Sequence, residues 1–291
     1  MAKDLEGKVF LVTGATEGIG KAAALAFARR GATLVLVGRS RDKTERVAKE
    51  IKEASGNDHV ELLLGDLSKV ADTRAVAEAF RAKYDRLDVL VNNAGGVFTS
   101  YQESADGIEM TFALNHMAYF VLTTSLLDLI EKTPKARVVS TSSGAHHIGK
   151  MDLATVAKRN GKAGFGAYGD SKLANILFTR ELARRLAGTT ATANCMHPGY
   201  VRTALGQNNG AVSAMIAKAL AAVFARTPEK GAETIVWLAT SDEAASYNGE
   251  YFMDRGLART SRLARNDELA KGLWELSEKL AGGASQATIA A

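Results

Sequence analysis

The chain has 291 residues, 46% of them hydrophobic and 24% charged, with one cysteine and a formal net charge of +5. These proportions exclude a disordered or collagen-like chain, and one cysteine excludes an intrachain disulfide, which fits a reducing compartment. The basic residues are spread over the chain and interleaved with acids, so the charge predicts solvated helix faces and no nucleic-acid partner.

Residues 1–8 are polar and the apolar stretch 9–12 is far too short for a signal core. No apolar run approaches the about 20 residues that a spanning helix needs. The expectation is a cytoplasmic protein with no integral membrane segment. From there, short apolar runs alternate with longer helical patterns. Strands are predicted over residues 8–13, 33–37, 60–64, 89–92, 137–140, 192–196 and near 250–253. Helices are predicted over residues 19–30, 41–55, 69–84, 108–130, 169–186 and 229–239. The clearest interior loops are 160–166 and 206–210. The strands are unbroken Val/Leu/Ile/Phe runs, as expected where helices cover both faces of a parallel sheet. Cys195, in the sixth of these runs, reads as a packed thiol. Such alternation predicts an α/β fold: a single Rossmann-type doubly wound parallel sheet flanked by helices on both faces. One domain spans residues 1–280, and the small-residue tail 281–291 is expected to fray. Ligands in such folds bind beyond the carboxyl ends of the strands, so the residues after each strand carry the functional reading.

The first strand runs into Thr13-Gly14-Ala15-Thr16-Glu17-Gly18-Ile19-Gly20, which opens a helix. Glycines let the chain turn tightly and approach a pyrophosphate, while first-turn N–H groups face its charge. The spacing differs from the common G-x-G-x-x-G fingerprint. After the second strand, Gly38-Arg39-Ser40-Arg41 stands where an acid would take the ribose hydroxyls of NAD. Arg39 can instead grip a 2′-phosphate, so the cofactor is read as NADP(H). Glu17 is a negative charge that does not help. After the third strand comes Gly65-Asp66-Leu67-Ser68, in which Asp66 could accept from an adenine amino group or cap the next helix. Asn92-Asn93-Ala94-Gly95 follows the fourth: small residues permit close approach of cofactor, and the amides tie backbone together.

Tyr168 and Lys172 stand at i and i+4, on one helix face. A phenol near pKa 10 is a poor acid–base group at neutral pH, and a nearby ammonium is expected to lower it. Ser140-Thr141-Ser142-Ser143-Gly144, after the fifth strand, offers a hydroxyl at the same sheet edge. Asn115 is a polar residue in the middle of an apolar helix.

These motifs, in this order, resemble the short-chain dehydrogenase/reductase (SDR) family over roughly residues 7–280. The resemblance implies that Tyr168 is the proton donor or acceptor at the substrate oxygen. It implies that Lys172 lowers the pKa of Tyr168 and holds the nicotinamide ribose, and that Ser143 polarises the carbonyl. Asn115 would fix a water in a proton relay. Pro198, Gly199, Val201 and Thr203 would meet the nicotinamide end. Residues 142–150, 171–178 and 197–199 resemble the retinol dehydrogenase-like subgroup, as does the long Ser143-to-Tyr168 interval. Ser140 and Gly169 depart from the usual pattern. The family also implies a homodimer or homotetramer.

Residues 204–227 carry an apolar stripe at helical spacing: a helix packed on the core, a lid over an apolar substrate, or an interfacial contact. The lid favours a small lipophilic carbonyl or alcohol. His146, His147 and His197 match no zinc spacing, and the first two are expected to point apart, so no metal is predicted. A non-catalytic NADP(H)-binding sensor or interaction protein is the second reading, opposed by the intact Ser143, Tyr168 and Lys172.

Overall fold

The computed structural model describes residues 3–199 and 226–282. Its strands are β1 (Val9–Thr13), β2 (Thr33–Gly38), β3 (Val60–Leu64), β4 (Val89–Asn92), β5 (Arg137–Thr141), β6 (Thr192–Met196), β7 (Tyr251–Met253) and β8 (Gly256–Leu257). They form an eight-stranded sheet in the order β3-β2-β1-β4-β5-β6-β7-β8. All pairings are parallel except β7 with β8. The chain winds outward from β1 to β3, then returns to lay β4 on the other side of β1. The resulting crevice above β1 and β4 is the switch point of a Rossmann-type α/β fold.

The helices are α1 (Gly18–Arg29), α2 (Arg41–Ser55), α3 (Val70–Arg81), α4 (Met110–Phe112), α5 (Ala118–Ser125), α6 (Leu127–Lys132), α7 (Phe165–Arg185), α8 (Pro228–Thr240) and α9 (Asp267–Leu280). Alternate residues of each strand serve opposite layers, as the two-residue repeat of a strand requires. Phe10 and Val12 pack with Phe27 of α1 and Ile235 of α8. Val9 and Leu11 face the other layer, with Phe80 of α3, Phe120 of α5, Phe178 of α7 and Trp274 of α9. Local signals set several ends. Ser40 caps α2, which stops at Gly56 with φ of 66°. Thr227 caps α8, with Pro228 in its first turn. No helix among the described residues is long and apolar enough to cross a membrane.

Three expectations are corrected. The single helix over 108–130 is a series of pieces: α4, a π-helical turn Ala113–Met117, α5, and α6 after a break at Leu126, where φ is −113°. Apolar periodicity continues across these joints, so it conceals them. Second, α7 begins at Phe165, which moves Tyr168 from the helix start into its first turn. Third, His146 and His147 lie in a 3-10 turn, Gly144–Ile148, with ring centroids 4.0 Å apart; in extended chain they would diverge. The structure adds β8 and α9, which the sequence reading did not anticipate. Ala281 and Gly282 close α9. The remainder of the tail, and the apolar stripe apart from Arg226 and Thr227, lie outside the described residues.

Trp274 anchors α9. Its ring stacks on Phe178 at 5.8 Å, meets Phe120 edge-on at 5.0 Å, and lies under the Arg185 guanidinium at 4.2 Å. Trp274→Ala removes all three contacts and is expected to lower stability by about 3–5 kcal/mol. Urea unfolding measures it; a loss below about 1 kcal/mol would mean that α9 is not part of the cooperative core.

Candidate active site

The loops after β1 and β4 are stapled together. Thr13 Oγ1 donates to Val91 O (3.1 Å) and accepts the N–H groups of Asn93 (2.8 Å) and Ala94 (3.1 Å). Asn93 Nδ2 donates to the carbonyls of Thr13 and Gly14, both at 3.2 Å. This closeness explains the glycines. A Cβ on Gly20 would lie 2.3 Å from Gly14 O, and one on Gly14, whose φ is +63°, would lie 2.8 Å from Ala94 Cα. Gly18 also has positive φ, 56°. Thr16 is half-buried beside it and Ile19 is buried.

Glu17 is the N-cap residue of α1 but makes no capping bond. Its carboxylate pairs with Lys43 of α2 at 2.5 Å. The first-turn N–H groups are thus left for an anion, and the charge that weighed against one is neutralised. Arg39 is exposed just past β2 and makes no ion pair among the described residues. Asp66 Oδ1 accepts from Ser68 N (3.2 Å) and Ser68 Oγ (2.8 Å). It therefore shapes the turn ahead of α3, whose N-cap residue is Lys69. Leu67 turns its side chain into the core.

The second group of predicted residues gathers at the same edge. Ser143 leaves the end of β5 as the N-cap residue of the 3-10 turn, its Oγ accepting from Ala145 N at 3.2 Å. The Ser143 hydroxyl stands near enough to the Tyr168 phenol to pull its pKa down. Lys172, one turn along α7, donates from Nζ to Thr141 O at 3.1 Å and lies 5.5 Å from the Tyr168 ring centroid. A Cβ on Gly95 would lie 2.9 Å from Asn115 Oδ1, too close for a side chain, so the glycine lets the β4 loop close on Asn115, with Lys172 Nζ next to it. Asn115, in the π-helical turn, holds that loop from the other side. Its Oδ1 accepts from Gly96 N (2.8 Å), and its Nδ2 donates to Gly96 O (2.9 Å) and Ser171 Oγ (3.0 Å). Pro198 and Gly199 follow β6 after His197, with Arg226 packed where a Gly199 Cβ would be. Val201 and Thr203 lie outside the described residues.

Electrostatics departs from the expectation in one respect. Burial holds the Tyr168 phenol above its ordinary value, and only the Ser143 hydroxyl pulls it down. Lys172 is itself wholly enclosed, and desolvation pushes its ammonium down to about 7. A cation that has lost its water is weakly held, so at neutral pH it does not dominate the phenol. Cys195 is fully buried and its thiol is pushed up to about 12, as befits a core residue.

Several positioning residues escaped the sequence reading. His146 Nδ1 donates to Ser143 O (2.7 Å) while its Nε2 accepts from Ser261 N (3.2 Å), so the ring bolts the seryl turn to the segment after β8. Both nitrogens are thereby used, and among the described residues no three His, Cys, Asp or Glu side chains could hold a metal ion. Ser142 Oγ donates to Lys172 O (2.7 Å), which separates its role from that of Ser143. Asp170 anchors the long interval before Tyr168. Its Oδ1 accepts from Lys150 N (2.6 Å) and Met151 N (3.2 Å), and its Oδ2 pairs with Arg159. Gly169 is explained by crowding, since a Cβ there would lie 2.8 Å from Ile148 Cγ1. Sequence spacing could have raised Asp170, at two residues from Tyr168; nothing local marks His146.

Known proteins are similar to this chain in sequence and in fold. A model of the short chain dehydrogenase family matches residues 8–214. Retinol dehydrogenase 11 of Homo sapiens is 41% identical over 279 residues, 96% of this chain and 87% of the relative. A crystal structure of an uncharacterized protein from Mycobacterium paratuberculosis superposes with a TM-score of 0.77 at 31% identity, covering 97% of each chain. A short chain dehydrogenase from Escherichia coli CFT073 complexed with NADPH superposes with a TM-score of 0.68 at 28% identity, covering 88% of this chain and 100% of that one.

The burial of Lys172 has a measurable cost. Its pKa is depressed on folding, from 10.5 to about 7. Between those values the unfolded chain binds a proton that the folded chain lacks, so this group's contribution to stability rises with pH across that window. Lys172→Met is expected to stabilise the protein at pH 7 by at least about 1.4 kcal/mol, the equivalent of one pKa unit. The gap from the wild type should shrink towards pH 10. Urea unfolding at the two pH values tests this, and a pH-independent gap would contradict the depressed lysine.

Proposed function

The chain belongs to the short chain dehydrogenase family, and on that premise we propose that it moves a hydride between NADP(H) and a lipophilic carbonyl or alcohol, with Tyr168 as general acid–base. The observation that carries this reading is the convergence of Tyr168, Lys172 and Ser143 at the edge where the two cofactor loops meet: Lys172 Nζ lies 5.5 Å from the Tyr168 ring centroid, and the Ser143 hydroxyl is near enough to pull the phenol's pKa down.

The residues present fit a dinucleotide. Gly14, Thr16, Gly18, Ile19 and Gly20 would face the pyrophosphate with first-turn N–H groups that no side chain caps. Arg39 would take the 2′-phosphate, and Asp66 and Leu67 would border the adenine. Asn93, Ala94 and Gly95 would line the path to the ring, with Lys172 on the ribose hydroxyls. Pro198, Gly199, Val201 and Thr203 would meet the nicotinamide. Three things favour NADP over NAD: the absence of an acid after β2, the exposed Arg39, and the neutralisation of Glu17 by Lys43. The NADPH held by the Escherichia coli neighbour agrees.

When bound, the nicotinamide supplies or accepts the hydride. The rest falls to the chain. Ser143 and Tyr168 both donate to the carbonyl oxygen, which orients it and draws electron density from its carbon. Tyr168 then gives its proton to the oxygen as negative charge develops there; in the oxidative direction it removes the alcohol proton. A phenol held above its ordinary pKa keeps its proton and is suited to donation. Lys172 steadies the phenolate left behind and is the group through which a replacement proton returns. Asn115 keeps the β4 loop near Lys172 and would fix a water that completes the proton relay.

The lipophilic substrate class is supported by apolar residues at the mouth. Ile148 is 57% and Phe165 69% exposed; Ile148 packs beside Gly169, next to Tyr168. The relative named retinol dehydrogenase points to a long apolar aldehyde or alcohol of the retinoid kind.

Two measurements test the reading. Tyr168→Phe is expected to lower kcat/KM for aldehyde reduction by about 10²–10⁴ while NADPH still quenches the protein fluorescence; full activity would refute the acid–base role. Arg39→Asp is expected to move the NADPH-to-NADH ratio of kcat/KM towards NADH by at least about tenfold, the weight of one charge-assisted contact. An unchanged ratio would remove the 2′-phosphate assignment.

A further inference from the structure

Behind Lys172 lies a fully enclosed set of polar side chains for which the proposed chemistry has no use: Asn175, His116 and Ser277, each with no exposed surface. Asn175 stands three residues beyond Lys172 on α7. Its Nδ2 donates to Thr141 O (3.1 Å) and to Asn115 O (3.0 Å). Thr141 O is also the carbonyl that receives Lys172 Nζ. One amide therefore fixes the lysine's acceptor and the Asn115 backbone together. The amide cannot be turned over, because its oxygen would then face two carbonyls.

That orientation leaves Asn175 Oδ1 without a hydrogen-bond partner, and His116 Nδ1 is also without one. The amide is thus held by its two donated bonds. Beside Asn175 in this enclosed set, His116 Nε2 is 2.9 Å from Ser277 Oγ on α9, and Ser277 Oγ lies 2.8 Å from Leu273 O.

We propose that Asn175 is a positioning residue for Lys172, its amide locking the Thr141 carbonyl that receives the ammonium to the backbone of Asn115. The inference rests on the reading of Lys172 and Tyr168 given above. The titratable groups facing Lys172 are Tyr168 of α7 and Tyr119 of α5, whose ring centroid is 5.9 Å from Nζ. Loss of Asn175 frees Thr141 O for the ammonium alone, which favours the charged lysine.

The test uses the full chain. In Asn175→Ala, the Lys172 side-chain carbon resonance (¹³C-lysine label, assigned with Lys172→Arg) should titrate at higher pH than in the wild type. The kcat should fall about tenfold or more, the scale of a small misplacement of a catalytic group, and the KM for the carbonyl should hold. An unmoved Lys172 titration in Asn175→Ala overturns the proposal. If Asn175→Ala does not fold, Asn175→Leu, which keeps the volume and removes both donors, takes its place with the same expected and overturning results. If the wild type reduces no carbonyl, the functional reading fails, and the titration still judges this one.

Discussion

The site depends on the desolvation of a single ammonium. Lys172 is enclosed at the carboxyl edge of β5, with the Thr141 carbonyl as its hydrogen-bond acceptor and two phenols as its titratable neighbours. Water would stabilise such a cation far better, so the fold accepts an unfavourable group at its centre. The compensation lies in the two large apolar layers to either side of the sheet. A bound dinucleotide would bring ribose hydroxyls to that ammonium, so cofactor binding and lysine protonation are expected to be linked. A phenol that is buried and still protonated completes the arrangement.

Much of the frame was legible in the sequence because its causes are local. Short, mainly apolar runs marked β1 to β6, and three of them, over 60–64, 89–92 and 192–196, keep their predicted bounds. Ser40 and Gly56 bracket a helix whose limits, 41 and 55, could be read directly. Gly14, Gly18 and Gly20 stood out because backbone approach and positive φ leave few alternatives. Tyr168 and Lys172 were visible from their spacing together with the neighbouring motifs.

What escaped was set by contacts distant in sequence or by backbone irregularity. The π-helical turn around Asn115 leaves no mark on the apolar pattern, yet it presents both ends of one amide to Gly96. His146 was weighed only as a metal ligand, since its partners, Ser143 O and Ser261 N, lie on opposite sides of more than a hundred residues. The expected direction of the Tyr168 shift failed for a related reason: spacing gives proximity to an ammonium, but the solvent excluded from both groups depends on the whole packed layer. The helix α9 is amphipathic and was passed over, although its Trp274 closes the aromatic cluster under α7.

Asp170 has a wider consequence. It sits on the same helical turn as Tyr168 and grips the preceding excursion through two backbone N–H groups and Arg159. That excursion also meets the body through Gly164 N on Phe98 O and Glu109 N on Ala157 O. The wall around Ile148 and the Tyr168 phenol are therefore indexed to one rigid rod. On the proposed reading, side chains of that wall could be exchanged without re-aiming the phenol as long as Asp170 and Arg159 stay, and selectivity would then be separable from chemistry.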